Sequence, residues 1–208
     1  MNEEVAVLVH GLWVNGLDMG LLRKRLQTAG YRTLRFSYPS VRNTPLENAM
    51  DLNVFANRIH AETIHFVGHS LGGIVIRHLF HEYPQQRPGR VVTLGTPHRS
   101  SMAAKQLHRT LPGQALLGKS AMEGLLGNVP PWKADHELGS IAGTLRFGLG
   151  MVVPDIPRPN DGTIAVEETK FKGMKDHVTV AASHFGLLLS RRVANQSRYF
   201  LQHGRFME

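Results

Sequence analysis

The sequence predicts an α/β fold, a mostly parallel sheet of about six strands with helices on both faces. Short stretches of β-branched residues alternate along the chain with longer stretches whose apolar residues recur every three or four positions. This alternation is typical of parallel strands joined by right-handed helical crossovers. The chain has 208 residues, 42% of them hydrophobic, and no linker or internal repeat. We therefore expect a single domain over residues 1–208.

The predicted strands are short, apolar and rich in β-branched or aromatic residues, as buried parallel strands are. In chain order they are expected at residues 5–9, 33–37, 63–67, 90–94, 140–146 and 177–181. The helices are predicted from apolar residues at three- and four-residue spacing, a pattern that Pro84 ends in the third helix. They are expected at residues 17–28, 46–61, 74–83 and 185–201.

The run Gly-His-Ser-Leu-Gly-Gly at residues 68–73 lies between the third predicted strand and the helix that follows it. A glycine two residues before and two residues after a serine is typical of a nucleophile elbow, a sharp turn that lifts the serine hydroxyl out of the core. Side chains at Gly68 and Gly72 would clash where the strand and helix backbones come close. The spacing therefore predicts Ser70 as a nucleophile.

A second turn, His-Gly-Leu-Trp at residues 10–13, directly follows the first predicted strand. In a parallel sheet this turn would lie at the same edge as Ser70. The backbone N–H groups of Leu12 and Leu71 are the predicted donors of an oxyanion hole. The side chains that flank the two turns are the predicted substrate contacts: His10, Trp13 and His69.

The general base is predicted from its position, because the chain has 12 histidines. His184 follows the last predicted strand and precedes the last predicted helix, so it is expected in a loop at the same sheet edge as Ser70. A histidine in such a loop can titrate near neutral pH and pass a proton on.

A carboxylate is needed to orient that histidine and to stabilise its charged form. Asp161 lies in an Asn-Asp-Gly turn after the fifth predicted strand and precedes His184 in the chain. Gly162, the next residue, tolerates an unusual turn. Asp161 is therefore the predicted acid. Three other carboxylates remain as alternatives: Asp155, Asp135 and Glu167.

The composition excludes several kinds of site. The chain has no cysteine, which excludes disulfides, thiolate zinc sites, iron–sulfur clusters and a cysteine nucleophile. His78 and His81 share a predicted helix face, but no carboxylate lies at zinc-like spacing from them. No metal and no cofactor are therefore expected.

The net charge is +8 at pH 7, and the densest basic groups are residues 23–25 and 191–192, both in predicted helices. Short clusters of this kind are usually solvated helix faces. Because no nucleic-acid motif accompanies them, a nucleic-acid partner is not expected. The functional alternative is transient contact with an anionic membrane surface.

The longest aliphatic run, residues 5–9, is far shorter than the about 20 apolar residues of a membrane span. The first four residues, Met-Asn-Glu-Glu, lead into the first strand without the basic and apolar regions of a secretory signal. A cytoplasmic location is therefore expected. No feature of the sequence specifies an oligomeric state.

Four motifs follow one another along the chain: Val-His-Gly at 9–11, Gly-His-Ser-Leu-Gly-Gly at 68–73, Thr-Leu-Gly-Thr-Pro-His at 93–98, and Asn-Asp-Gly at 160–162 before Ser-His at 183–184. Through these motifs and their order, the chain resembles the α/β-hydrolase superfamily over nearly its whole length. Within it, the chain is similar to small bacterial lipases and esterases and to the lipase-like GPI inositol-deacylase branch. The resemblance implies a minimal six-stranded core and the order nucleophile, acid, base for Ser70, Asp161 and His184. The family usually continues the third motif with a glycine before a serine, and Arg-Ser-Ser at 99–101 departs from that pattern.

The resemblance implies hydrolysis of a carboxylic ester, on a small-molecule or lipid substrate, through a Ser-His-Asp triad and an acyl-enzyme. Similar hydrolases often carry a cap after the strand that corresponds to the fourth predicted strand, residues 90–94. Residues 99–137, which follow it and are rich in leucine, methionine, glycine and proline, are therefore the candidate cap or lid. Alternatively, these residues complete the core. Two other functions fit the same residues: acyl transfer to an acceptor other than water, and lipid or protein binding by a catalytically silent hydrolase fold.

Overall fold

The fold is built on one six-stranded sheet, seen in a computed structural model that describes residues 4–148 and 156–208. The strand order is β2-β1-β3-β4-β5-β6, and all five neighbouring pairs are parallel. The strands are β1 (Glu4–Val9), β2 (Arg32–Phe36), β3 (Thr63–His69), β4 (Val91–Leu94), β5 (Leu138–Gly143) and β6 (Asp176–Val180). The predicted α/β fold class and strand number are confirmed.

Seven α-helices occur in the described residues. They are α1 (Gly20–Thr28), α2 (Pro45–Asn57), α3 (Leu71–Glu82), α4 (Met102–His108), α5 (Leu111–Leu117), α6 (Gly186–Leu189) and α7 (Arg191–His203). Short 3-10 helices lie at Gly118–Ala121 and Val166–Thr169. Among the helices of this part of the chain, none has the length and hydropathy that crossing a bilayer requires.

Helices cover both faces of the sheet, and β1 shows how. Val5, Val7 and Val9 point to one face, where they join a core formed with α2 and α3. Ala6 and Leu8 point to the other face and pack with α1, α6 and α7. Because successive side chains of a strand alternate in direction, the continuous apolar run from Val5 to Val9 must be covered on both sides.

The last helix differs most from its prediction. A single helix was expected over residues 185–201, but the chain forms α6 and α7 with an extended residue, Ser190, between them. The Ser190 side chain accepts a hydrogen bond from the N–H of Val193 at 3.3 Å and so caps α7. The break turns the chain between the two helices and fixes where α7 begins.

The carboxyl ends of the strands gather the segments that carry the predicted chemistry. His10 follows β1, Ser70 follows β3, Gly95 follows β4, and His184 lies four residues after β6. Because all strands are parallel, these loops meet at one edge of the sheet, where ligands bind in open α/β folds.

Candidate active site

Ser70 alone connects β3 to α3. Its φ of 52° and ψ of −121° lie in a region that non-glycine residues rarely adopt. Two hydrogen bonds hold this conformation, because the N–H of Ser70 donates to the carbonyl of Leu94 at 2.9 Å and the hydroxyl of Thr96 donates to the carbonyl of Ser70, also at 2.9 Å. The side chain of Ser70 is half-buried and lines a cavity. This geometry is that of a nucleophile elbow.

The two glycines of the elbow allow strand and helix to approach closely. A Cβ added at Gly68 would lie 2.7 Å from the backbone nitrogen of Gly73, and one added at Gly72 would overlap the carbonyl oxygen of Val9. Neither neighbour can move, since both are backbone atoms inside the core. The Gly-x-Ser-x-Gly spacing is therefore a packing requirement of this turn.

Asp161 and His184 form a hydrogen-bonded pair behind the cavity. The Nδ1 atom of His184 lies 2.7 Å from Oδ2 of Asp161, whose residue is 1% exposed. The other carboxylate oxygen, Oδ1, accepts the N–H groups of Thr163 at 2.9 Å and Ile164 at 2.7 Å. These bonds leave the carboxylate one orientation, so we assign the His184 proton to Nδ1. The Nε2 atom is then a free acceptor.

Gly95 gives the pair its space. A Cβ added there would lie 3.0 Å from Oδ2 of Asp161 and 3.1 Å from Nδ1 of His184, and the φ of Gly95 is +56°. Both the space and the conformation therefore favour glycine at this position. Sequence reasoning did not assign this role to Gly95, although the motif at residues 93–98 that contains it was noted.

His69, a predicted substrate contact, is 1% exposed and lines the cavity beside Ser70. Its Nε2 lies 3.1 Å from the carbonyl oxygen of His184, so that nitrogen carries the proton and donates to it. Burial, with a smaller contribution from the charge of His184, lowers the pKa of His69 to about 3. The ring is therefore neutral, and it supports the loop that carries His184.

The structure does not place His10 as a substrate contact. Its ring is fully buried, stacks on the ring of Tyr38 at 4.2 Å, and is not part of the cavity lining. Its Nε2 accepts the N–H of Tyr38 at 3.2 Å, and its Nδ1 donates to the carbonyl of Gly11 at 2.8 Å. Both ring nitrogens are used inside the protein, so His10 shapes the turn after β1.

Trp13 and Leu12 both line the cavity. The N–H of Trp13 donates to the hydroxyl of Ser40 at 3.2 Å, and its indole N–H donates to the carbonyl of Leu116 in α5 at 2.8 Å. In the described chain, no backbone carbonyl accepts the N–H of Leu12 or of Leu71. Leu12 lines the cavity and Leu71 directly follows Ser70 in the chain, so both unpaired N–H groups belong to the two turns that flank Ser70.

The cavity is narrow and mostly apolar, with a volume of about 70 Å³. It brings together five of the predicted residues: Leu12, Trp13, His69, Ser70 and His184. Its remaining walls come mainly from the segment after β4: Ser101, Ala103, Ala104, Leu107, Leu117 and Leu125. No aspartate, glutamate, lysine or arginine is part of this lining.

Residues 99–137 act in both of the ways that the sequence left open. Ala103, Ala104 and Leu107 of α4 line the cavity. Leu117 and Leu125 line it too, and they are also part of the main core. The segment therefore covers the cavity and completes the hydrophobic core.

Glu168, which sequence reasoning missed, connects the segment 99–137 to the loop that carries Asp161. Its Oε1 accepts the N–H of Met102 at the start of α4 at 2.6 Å, and its Oε2 accepts the N–H of Ala165 at 2.8 Å. Burial raises the pKa of this carboxyl. Its sequence signal is weak, since a single acidic residue is usually solvated.

The alternative acids lie elsewhere. Asp135 lines a separate groove together with Glu4 and Thr63, which begin β1 and β3, so it is at the opposite edge of the sheet. Glu167 is exposed and forms an ion pair with Lys170. Asp155 lies outside the described residues.

His78 and His81, the pair considered as metal ligands, both lie on α3 in the described segments. There, no group of three histidine, aspartate or glutamate side chains is arranged to hold an ion. His78 donates from Nε2 to the carbonyl of Glu123 at 2.7 Å.

The family follows from comparison with known proteins. The model of the alpha/beta hydrolase family matches residues 6–197, which is most of the chain. The chain belongs to the α/β-hydrolase family. The predicted family is confirmed.

Several solved structures resemble this α/β hydrolase. The mature form of Bacillus licheniformis lipase BlEst2 aligns with a TM-score of 0.73 and 17% identity over 97% of this chain and 91% of that one. The metagenomic carboxyl esterase MGS0156 aligns with a TM-score of 0.69 and 18% identity, over 88% of this chain and 65% of that one. A lipase-esterase related protein from Clostridium acetobutylicum aligns with a TM-score of 0.64 and 14% identity, over 98% of this chain and 94% of that one. No curated protein sequence matches the chain.

Proposed function

We propose that this α/β hydrolase cleaves carboxylic esters, with Ser70 as nucleophile, His184 as general base and Asp161 as the acid that orients it. The observation that carries the proposal is the Asp161–His184 pair at 2.7 Å, with His184 lining the same cavity as a serine on an elbow. A serine hydroxyl becomes an effective nucleophile when such a histidine accepts its proton.

In the proposed reaction, Oγ of Ser70 attacks the ester carbonyl carbon while Nε2 of His184 takes the hydroxyl proton. Asp161 stabilises the resulting imidazolium, and the N–H groups of Leu12 and Leu71 bind the oxyanion. The tetrahedral intermediate then expels the alcohol, which receives its proton from His184. Water, activated by the same histidine, attacks the acyl-enzyme and releases the acid.

The lining favours uncharged esters with short acyl chains. Its apolar side chains would bury acyl methylenes, each contributing about 0.8 kcal/mol of transfer free energy. Because the lining contains no aspartate, glutamate, lysine or arginine, a charged acyl group would be buried there without an ion-pair partner, which is unfavourable. The narrow volume of about 70 Å³ leaves little room for a long chain. The similar structures include a lipase and a carboxyl esterase, which agrees with this substrate class.

The decisive experiment combines fluorophosphonate labelling with hydrolysis of p-nitrophenyl butyrate. We expect the wild-type protein to be labelled and active, Ser70→Ala to lose both properties, and Ser100→Ala to keep both. Ser100 is a suitable control because it lies near the site but outside the cavity lining. Labelling or near wild-type hydrolysis in Ser70→Ala would exclude the mechanism. A product analysis with glycerol present separates hydrolysis from acyl transfer. Hydrolysis releases butyrate, whereas acyl transfer to glycerol would form glyceryl butyrate.

A further inference from the structure

A second concave surface lies between α1 and α7, away from the cavity. This α1–α7 groove is open, with a volume of about 630 Å³. Four cationic side chains line it: Lys24, Arg25, Arg191 and Arg198. The other lining residues are neutral: Leu21, Thr28, Ala29, Ala194 and Asn195.

The tertiary structure brings together in this groove members of two basic clusters that are far apart in the sequence. One cluster lies at residues 23–25 in α1 and the other at 191–192, where α7 begins. Arg25 joins the two regions, because its Nη1 donates to the carbonyl of Leu189 in α6 at 2.7 Å. The break at Ser190 starts α7 at that point, which brings Arg191 to the groove.

The charge of the groove is unbalanced. Its lining contains no acidic residue, and within the described chain none of the four cations forms an ion pair with a carboxylate. Like charges held close together repel one another, and an anion in the groove would relieve that repulsion. A ligand for this surface must therefore be anionic.

Apolar side chains at the groove indicate which kind of anion. Leu21 lines it and is 39% exposed, and Leu189, whose carbonyl accepts Arg25, is 59% exposed. Exposed leucines beside lysine and arginine are typical of surfaces that bind anionic bilayers. A nucleic-acid surface would combine the cations with aromatic side chains for base stacking, and none lines this groove.

We propose that the α1–α7 groove binds the phosphates of anionic lipid headgroups at a bilayer surface, with Leu21 and Leu189 in contact with the interface. The four cations supply the attraction, and the two leucines favour a lipid surface over a phosphate in solution.

This surface is connected to the active site. Helix α6 runs from the loop of His184 to Leu189, and Phe185, 55% exposed, forms part of the cavity lining. A bilayer bound at the groove would therefore lie near one wall of the cavity. A bilayer in that place could deliver a lipid ester to the cavity, and this consequence rests on the proposed function. Lipid binding at the groove does not itself require turnover.

The test is co-sedimentation with vesicles of diether phosphatidylcholine, with and without an equal amount of diether phosphatidylglycerol. Ether lipids cannot be cleaved by an esterase, so binding is measured apart from activity. The test variant is Lys24→Gln/Arg191→Gln, because both side chains are exposed and neither forms a hydrogen bond with another described residue. The matched control is Arg58→Gln/Lys172→Gln, which removes two exposed cations outside the groove.

We expect the wild-type protein to bind the anionic vesicles and not the neutral ones, with affinity falling as salt rises. The test variant should lose about fivefold in affinity for each cation removed, and the control should bind like wild type. Failure of the wild type to bind, or an equal loss in the control, would refute the proposal. It would also be refuted if millimolar inorganic phosphate displaced the vesicles, or if an oligonucleotide bound more tightly than the vesicles.

Discussion

The backbone N–H of His184 donates to the backbone carbonyl of Asp161 at 2.9 Å, in addition to the 2.7 Å bond between their side chains. Two parallel contacts fix the distance and the orientation of the histidine loop against the acid loop. A second support comes from His69, which donates to the carbonyl of His184. The protein itself thus holds the His184 loop in place, through contacts that need no ligand.

The first prediction concerns the acid. Asp161→Asn should lower kcat for p-nitrophenyl butyrate by about 10⁴, because an amide cannot hold the Nδ1–H tautomer or stabilise the imidazolium. The fold should remain intact, as judged by circular dichroism. Asp135→Asn and Glu167→Gln serve as controls and should retain activity within a factor of about three. A kcat for Asp161→Asn within tenfold of wild type would contradict the assignment.

The second prediction concerns the elbow. Gly72→Ala should lower the free energy of unfolding by about 2 kcal/mol or more, because its Cβ would overlap the backbone of Val9. Gly20→Ala is the control, since nothing lies within 4 Å of a Cβ added there. That change should leave stability equal or raise it by up to about 1 kcal/mol. Urea denaturation measures both, and equal stabilities for the two variants would argue against the packing account.

The third prediction concerns acyl-chain length. Leu107→Ala should enlarge the cavity that Leu107 lines and raise kcat/KM for p-nitrophenyl octanoate relative to the acetate. Each methylene that gains apolar cover contributes about 0.8 kcal/mol, or about fourfold. Leu111→Ala should leave the ratio unchanged, because Leu111 is 81% exposed and does not line the cavity. An unchanged ratio in Leu107→Ala would place the acyl chain elsewhere.

The fourth prediction concerns acid stability. Burial is the largest cause that lowers the pKa of six histidines: His10, His65, His69, His78, His98 and His177. As the pH falls through about 6.5, these rings take up protons in the unfolded chain at a higher pH than in the folded one, so the unfolded state binds more protons. The free energy of unfolding should therefore fall as the pH drops below 6.5, and for His69 the loss continues toward a pKa of about 3.

Urea midpoints measured at several pH values between 7.5 and 4.5 check this prediction. The slope should reach about 1.4 kcal/mol per pH unit for each fully buried ring that contributes. The control is His60→Gln, which removes an exposed histidine and leaves the six buried rings in place. Stability that stayed level or rose on acidification would contradict the burial argument.

Local sequence patterns predicted much of the fold and which loops carry the candidate site. The alternation of strands and helices, the elbow at Ser70 and the turn after β1 depend on residues close together in the chain, so their signals are readable there. His184 and Asp161 could be chosen because parallel strands send the loops at their carboxyl ends to one edge.

Other roles could not be predicted, because they depend on partners distant in the sequence. His10 is adjacent to the predicted oxyanion turn, yet Tyr38 occupies its Nε2 and removes it from the cavity. Gly95 is needed because Asp161 and His184 pack against it. The break at Ser190 depends on a cap that competes with an otherwise continuous helical pattern.

By itself, the sequence determined the fold class, the elbow and the residues that could supply a nucleophile, a base and an acid, since these follow from periodicity, glycine spacing and strand order. The tertiary structure alone decided which histidine nitrogens are free, which walls form the cavity and that two basic clusters share the α1–α7 groove. The physical reason is that hydrogen-bond partners, burial and charge balance are properties of side chains brought together by folding, and chain order does not contain those distances.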